Sequence, residues 1–147
     1  MADDLLALAR QRTGQNRFWQ YLGIEVVDVK DGWARLRVPV RDDLRNAPGA
    51  PVHGGVYATL VDAAVGCALS TLHAESAGGV GQTTVDLNVS FLGAARGDEL
   101  FAEATIVKRG RSLAFGEARV MDAAGTLLAL GRATYMILSR SVETRTG

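Results

Sequence analysis

The sequence predicts an α+β fold in which an antiparallel sheet covers one side of a long central helix. Three observations predict it. From Gly54 to about His73 the chain is rich in Ala, Leu and Val without a single Pro, which reads as one long, mostly buried helix. Before it, "IEVVDV" and "WARLRVPV" flank the turn signature "KDG". After it come four strand-like segments, "GQTTVDLNVSFL", "DELFAEATIVKRG", "RSLAFGEARVMD" and "GTLLALGRATYMIL".

Taken in order, residues 3 to about 12 place Leu5, Leu6, Leu8 and Ala9 on one helical face. Phe18, Trp19 and Leu22 continue the apolar theme after Gly14, so a helical lead-in extends to about residue 22. A β-hairpin follows at about 24 to 40, with Trp33, Leu36 and Val38 among alternating polar residues. A polar loop with Asn46, Pro48, Gly49 and Pro51 leads into the long helix. Ala58, Ala63, Ala64, Gly66, Cys67 and Ala68 keep that helix thin, so a sheet can approach its axis. The separators "GAARG", "RGR" and "DAAG" suit tight antiparallel connections, which makes the last four strands a meander. From Ser139 the tail is polar. No repeat, low-complexity run or linker divides the chain, so residues 1–147 read as one domain.

Composition excludes several function classes. Lys plus Arg and Asp plus Glu both number 16, so no global field draws the protein to nucleic acid or an anionic membrane. Any anionic ligand must be held locally. The single cysteine, Cys67, excludes an internal disulfide and a multi-cysteine zinc site, and reads as a small packing residue. Two His and scattered carboxylates show no metal-ligand spacing, and no phosphate-binding glycine loop is present. The N-terminus "MADDLLALARQR" has acids where a signal peptide has bases, and no apolar run approaches the ~18 residues of a membrane span. A cytoplasmic protein without membrane or nucleic-acid partners is expected.

Within the long helix one residue is out of place. Asp62 interrupts an apolar run, and a carboxylate there is costly unless it is paired, hydrogen-bonded or reactive. The stretch "HGGVYATLVD", followed in order by "TTVDLNVSFL", "VKRGRSLAF" and "GRATYMIL", resembles the hot-dog fold thioesterases, and within them the phenylacetic-acid-pathway and acyl-CoA thioesterase 13 type. The resemblance runs from about Gly23 to Leu138. It implies the hot-dog fold, a long helix wrapped by a curved antiparallel sheet, and hydrolysis of an acyl-CoA thioester with no cofactor beyond water.

The resemblance assigns Asp62 as nucleophile or general base; either role suits a thioester. The amides of Gly54 and Gly55 fall at a helix N-terminus, where N–H groups are free and the macrodipole favours negative charge, a ready oxyanion hole. His53 matches the motif histidine that helps position the thioester and the loop. Thr84 matches a Ser or Thr that bonds the attacking water or the carboxylate. Asn46 resembles the loop Asn that orients the water or carbonyl, although it stands seven residues before His53 where the pattern has six. Lys108, Arg109 and Arg111 surround Gly110 at a hairpin tip, where they could hold the phosphates of coenzyme A. His73 and Asp86 are read as structural.

Eight residues of helix rise about 12 Å, so Gly54 and Asp62 of one chain cannot both touch one thioester carbon. The site must be shared between subunits, which calls for a dimer; by family analogy the assembly is a homotetramer, a dimer of dimers. Two rivals share the fold: an acyl-thioester dehydratase or hydratase, whose Pro-rich, Met-containing signature is absent, and a non-catalytic acyl-CoA binder.

Overall fold

The computed structural model describes residues 2–73 and 81–138. The predicted connection "AESAGG" and the tail from Ser139 lie outside the described residues. The lead-in forms two helices, α1 (Ala2–Thr13) and α2 (Arg17–Leu22), separated where Gly14 and Asn16 stand; the Asn16 side chain caps α2 by accepting the Trp19 N–H. The hairpin follows as β1 (Glu25–Lys30) and β2 (Trp33–Pro39), turning at Gly32, whose φ of +72° suits glycine. After a short 3₁₀ turn (Asp42–Leu44) comes the long helix α3 (Gly54–Thr71), then β3 (Gly81–Phe91), β4 (Glu99–Arg109), β5 (Leu113–Asp122) and β6 (Leu127–Leu138).

All six strands join one antiparallel sheet in the order β1-β2-β4-β5-β6-β3. The expected meander is therefore corrected at one point. β4, β5 and β6 follow each other as hairpins, but β3 leaves its sequence neighbour and pairs with the last strand, β6. The segment "GAARG" is a crossover beneath the start of α3 rather than a tight turn. Tyr57 of α3 holds it there: its hydroxyl accepts the Ala95 N–H at 2.7 Å and donates to the Gly93 carbonyl at 3.2 Å. Val52 adds a backbone bond to the Ala95 carbonyl. β2 and β5 occupy the two flanks of β4, so β3 cannot pair with its sequence neighbour and adds at the β6 edge, opposite the edge formed by β1.

The core lies between α3 and the inner face of the sheet. Leu60, Val61, Val65 and Leu69 of α3 meet Leu36, Val38, Leu100 and Val120, all fully buried. Small residues allow the close approach, but at two places they stand on the sheet rather than on the helix. A Cβ at Gly116 would sit 2.5 Å from Val65 Cγ1, and one at Gly131 would sit 2.5 Å from Val61 Cγ1. At 18 residues and mean hydropathy 1.2, α3 is long and apolar enough to cross a membrane by composition, which corrects the expectation of no such run; 67% of it is buried inside the fold. α1 docks across β1 and the end of α3. The Arg10 guanidinium donates to the Val26 carbonyl, and Arg12 donates to the carbonyls of Ser70 and His73, a cation at the negative end of the α3 dipole.

Candidate active site

The loop before α3 is built to deliver its N-terminus. Ala47 to Ala50 close a tight turn, with Pro48 and then Gly49 at φ +72°, the arrangement of a type II turn. The His53 N–H returns to the Leu44 carbonyl at 2.9 Å, and Arg45 and Val52 bridge the base of the loop. Asn46 sits here exposed, with its backbone N–H on the Pro51 carbonyl.

His53 is the N-cap of α3, and its Nδ1 accepts the Gly55 N–H at 2.8 Å. This narrows the expected oxyanion hole. The Gly55 amide is already engaged by its own chain, and Val56 donates to the His53 carbonyl, so Gly54 carries the one unpartnered amide of the three among the described residues. Both glycines have packing reasons as well. A side chain at Gly55 would lie 2.9 Å from His53 Nδ1, and one at Gly54 would lie 3.1 Å from the ring of Phe91, which stacks on Tyr57.

Asp62 lies two turns further along α3, half-buried, beneath β3 and β6. Its Oδ1 accepts from the Thr84 hydroxyl at 2.6 Å and from the Tyr135 hydroxyl at 2.7 Å; the Tyr135 oxygen also lies 2.8 Å from the Asp62 carbonyl. A β-bulge between Thr84 and Asp86 re-aims β3 at this point. Burial raises the Tyr135 phenol well above the ordinary tyrosine range, the Thr84 hydroxyl opposes this, and the Asp62 charge adds to it. Tyr135 is thus a firm hydrogen-bond donor. Sequence reasoning named Asp62 and Thr84 but missed Tyr135.

Asp62 opens into a cavity of about 710 Å³. One wall is the α3 face carrying Asp62, Gly66 and Ser70, continued by His73 just past the helix end; the others are β3, through Gln82 and Thr84, and the lead-in helices, through Leu8 and Trp19. Burial lifts the Cys67 thiol in this wall to about 12, which leaves it protonated and unreactive. At the far end the Arg109 guanidinium lies 3.4 Å from Nδ1 of buried His73. Burial lowers the His73 pKa, and the charges of Arg109 and Arg12 lower it further. Arg109 thereby reaches the helix terminus, and like Lys108 and Arg111 beside it at the β4–β5 tip it is exposed. Among the described residues no three His, Cys, Asp or Glu side chains converge as metal ligands would.

The model of the thioesterase superfamily matches residues 51–129, a stretch that holds His53, Gly54, Asp62 and Thr84. The chain belongs to the thioesterase superfamily. It is 40% identical over 145 residues to a Halobacterium salinarum protein named as an esterase, covering 92% of this chain and 94% of that one. It is 31% identical over 137 residues to acyl-coenzyme A thioesterase 13 of Homo sapiens, covering 91% and 94%. The fold matches the PaaI protein of the E. coli phenylacetic acid degradation operon with a TM-score of 0.79, at 20% identity and covering 92% and 96% of the two chains. The protein is thus a hot-dog thioester hydrolase. Of the residues singled out for this thioesterase, the structure brings Asp62 and Thr84 into contact, joins His53 to Gly55, and groups Lys108, Arg109 and Arg111 at one tip. It does not bring Gly54 to Asp62 within one chain, since both sit on α3 eight residues apart.

Proposed function

We propose that the protein hydrolyses an acyl-CoA thioester with an aryl or medium-chain acyl group, using Asp62 as nucleophile or general base and the Gly54 amide as oxyanion donor. The observation that carries this reading is the half-buried Asp62, held by two hydroxyls in the wall of a cavity. A cavity of about 710 Å³ suits an acyl group of that size. The thioester oxygen accepts the Gly54 N–H, where the helix dipole favours the negative charge that grows on it. Asp62 then either takes a proton from the water that attacks the carbonyl carbon or attacks that carbon itself. In the first case the C–S bond breaks and the thiolate leaves with the proton from Asp62. In the second a mixed anhydride forms, and water cleaves it to regenerate the carboxylate. His53 holds the loop and the helix start, Asn46 orients the water or carbonyl, Gly55 lets the flat thioester lie against the backbone, and Lys108, Arg109 and Arg111 meet the coenzyme A phosphates.

The site is completed by a second copy. Because Gly54 and Asp62 are about 12 Å apart along the helix axis, a two-fold dimer with antiparallel α3 helices supplies Gly54 from one subunit and Asp62 from the other. β3 favours this arrangement: it is an 11-residue edge strand with exposed Val85 and Leu87, the kind of edge that a partner strand covers. Two such dimers pair as a tetramer. The test is free-thiol release from aryl-acetyl, benzoyl and short to long straight-chain acyl-CoA thioesters. Turnover that falls at least about a hundredfold in folded Asp62→Asn supports the reading. Near-normal turnover in that variant refutes the catalytic assignment, and tight binding without turnover across the panel replaces it with a non-catalytic acyl-CoA binder.

A further inference from the structure

The two oxygens of Asp62 are treated unequally. Oδ1 takes hydrogen bonds from Thr84 and Tyr135, while Oδ2 has no protein partner among the described residues. The second hydroxyl reaches Oδ1 only because of what is missing one helical turn later. A Cβ at Gly66 would sit 2.6 Å from the Tyr135 hydroxyl oxygen and 3.1 Å from the ring carbon that bears it. Glycine is the poorest residue after proline for a helix interior, and this one lies in a buried run, Ala63 to Leu69, whose other members are Ala, Val, Cys and Leu. The Gln82 amide donates to the Gly66 carbonyl at 2.7 Å and holds that turn from the β3 side. Three elements, α3, β3 and β6, therefore converge on one carboxylate oxygen.

We propose that Tyr135 is a positioning residue for the reaction: admitted by the slot at Gly66, it shares Oδ1 with Thr84 and leaves Oδ2 as the one oxygen of Asp62 available to the thioester or its attacking water. The proposal rests on the thioesterase assignment of Asp62 given above. Its chemical consequence is economy of motion. When Oδ2 takes a proton or forms the acyl bond, Oδ1 becomes a carbonyl oxygen and still accepts both hydroxyls. The network needs no rearrangement through the cycle, which is the property of a preorganised site. Because the buried phenol resists ionisation, the clamp persists across the working pH range.

Tyr135→Phe deletes the hydroxyl and keeps the ring. With the acyl-CoA found in the substrate panel, kcat should fall about ten- to hundredfold, as expected for loss of a hydrogen bond to a reacting carboxylate, while KM changes less than about threefold. Thr84→Val should show the same split and Thr84→Ser should restore activity. Gly66→Ala should reproduce the Tyr135→Phe loss in the native background and add less in the Tyr135→Phe background, since its nearest contact is with the oxygen that Tyr135→Phe removes. Wild-type kcat and KM in folded Tyr135→Phe, alongside an inactive Asp62→Asn, would overturn the positioning role and leave the thioesterase reading standing. A fully additive Gly66→Ala and Tyr135→Phe pair would also overturn it. Near-normal turnover in Asp62→Asn would remove both.

Discussion

The contact between Gly116 and Val65 gives a quantitative test of how tightly the sheet is wrapped on α3. In Gly116→Ala the new methyl would sit 2.5 Å from Val65 Cγ1, 3.1 Å from Cγ2 and 3.3 Å from Ile106 Cδ1. Carbon pairs rest at about 3.5–4.0 Å, so the nearest pair is short by about 1 Å. Val65 is fully buried, and a β-branched side chain in a helix has essentially one rotamer, so it cannot swing away. The helix must shift against the sheet instead. Overpacking of this kind costs about 1–3 kcal/mol, and the smaller unfolded-state entropy of Ala returns about 0.4–1 kcal/mol. The net loss is about 1–2 kcal/mol, or about 3–6 °C in Tm for a chain of this length.

Urea and thermal unfolding, with and without Val65→Ala, would measure it. Val65→Ala alone opens a cavity and should cost on the order of 2 kcal/mol. In the double variant the methyl at position 116 enters that space, so the two losses should fall short of adding by about 1 kcal/mol or more. Asp62 lies one turn before Val65, so kcat should drop in Gly116→Ala and recover in the double variant. A Gly116→Ala protein with unchanged Tm, or strict additivity with Val65→Ala, would refute the close-packing argument.

Other expectations follow from single groups. Tyr57→Phe leaves the buried Ala95 N–H without its acceptor and should cost about 1–3 kcal/mol in urea unfolding, with the crossover loop exchanging its amide protons faster. Cys67, held at about 12 by burial, should react with a chromogenic disulfide at pH 8 only as fast as the protein unfolds; the unfolded thiol ionises from about pH 9, so stability should fall between about pH 9 and 12, less so in Cys67→Ala. His73 has its pKa lowered by burial and by Arg109 and Arg12, so its contribution is present above the unfolded value of 6.5 and is lost as the pH falls below it. Tm measured from pH 7.5 to 5 should therefore decline more steeply in the native protein than in His73→Gln; parallel profiles would refute this.

Much of the candidate site was legible because it is local. His53, Gly54 and Asp62 fall within ten residues, and a loop, a helix start and one carboxylate in an apolar run each have a short-range signature. Tyr135 was not legible for the opposite reason: its role depends on β3 and β6 pairing over the same helical turn, and "GRATYMIL" reads simply as an alternating strand. Gly66 was a visible signal, a glycine inside a helix where alanine would serve better, but it was read as thinning the helix in general. The engagement of the Gly55 amide by His53 depends on a ring orientation that spacing does not encode. The crossover from β3 to β4 escaped notice because consecutive strands usually neighbour each other, and nothing in "GAARG" marks the exception.

That crossover also orders events in time. β3 leaves the chain well before β6 yet has no other strand to bind within the subunit. It must stay unpaired until the last strand arrives, a non-local closure of the kind that slows folding. Thr84 and Tyr135 belong to those two strands, so the hydroxyls around Asp62 meet only when the final piece of sheet closes. Pulsed hydrogen exchange should find the amides of both strands gaining protection together and late. On the proposed role of Asp62, activity should return only with the finished chain, and an assay of activity during refolding would then time its last step.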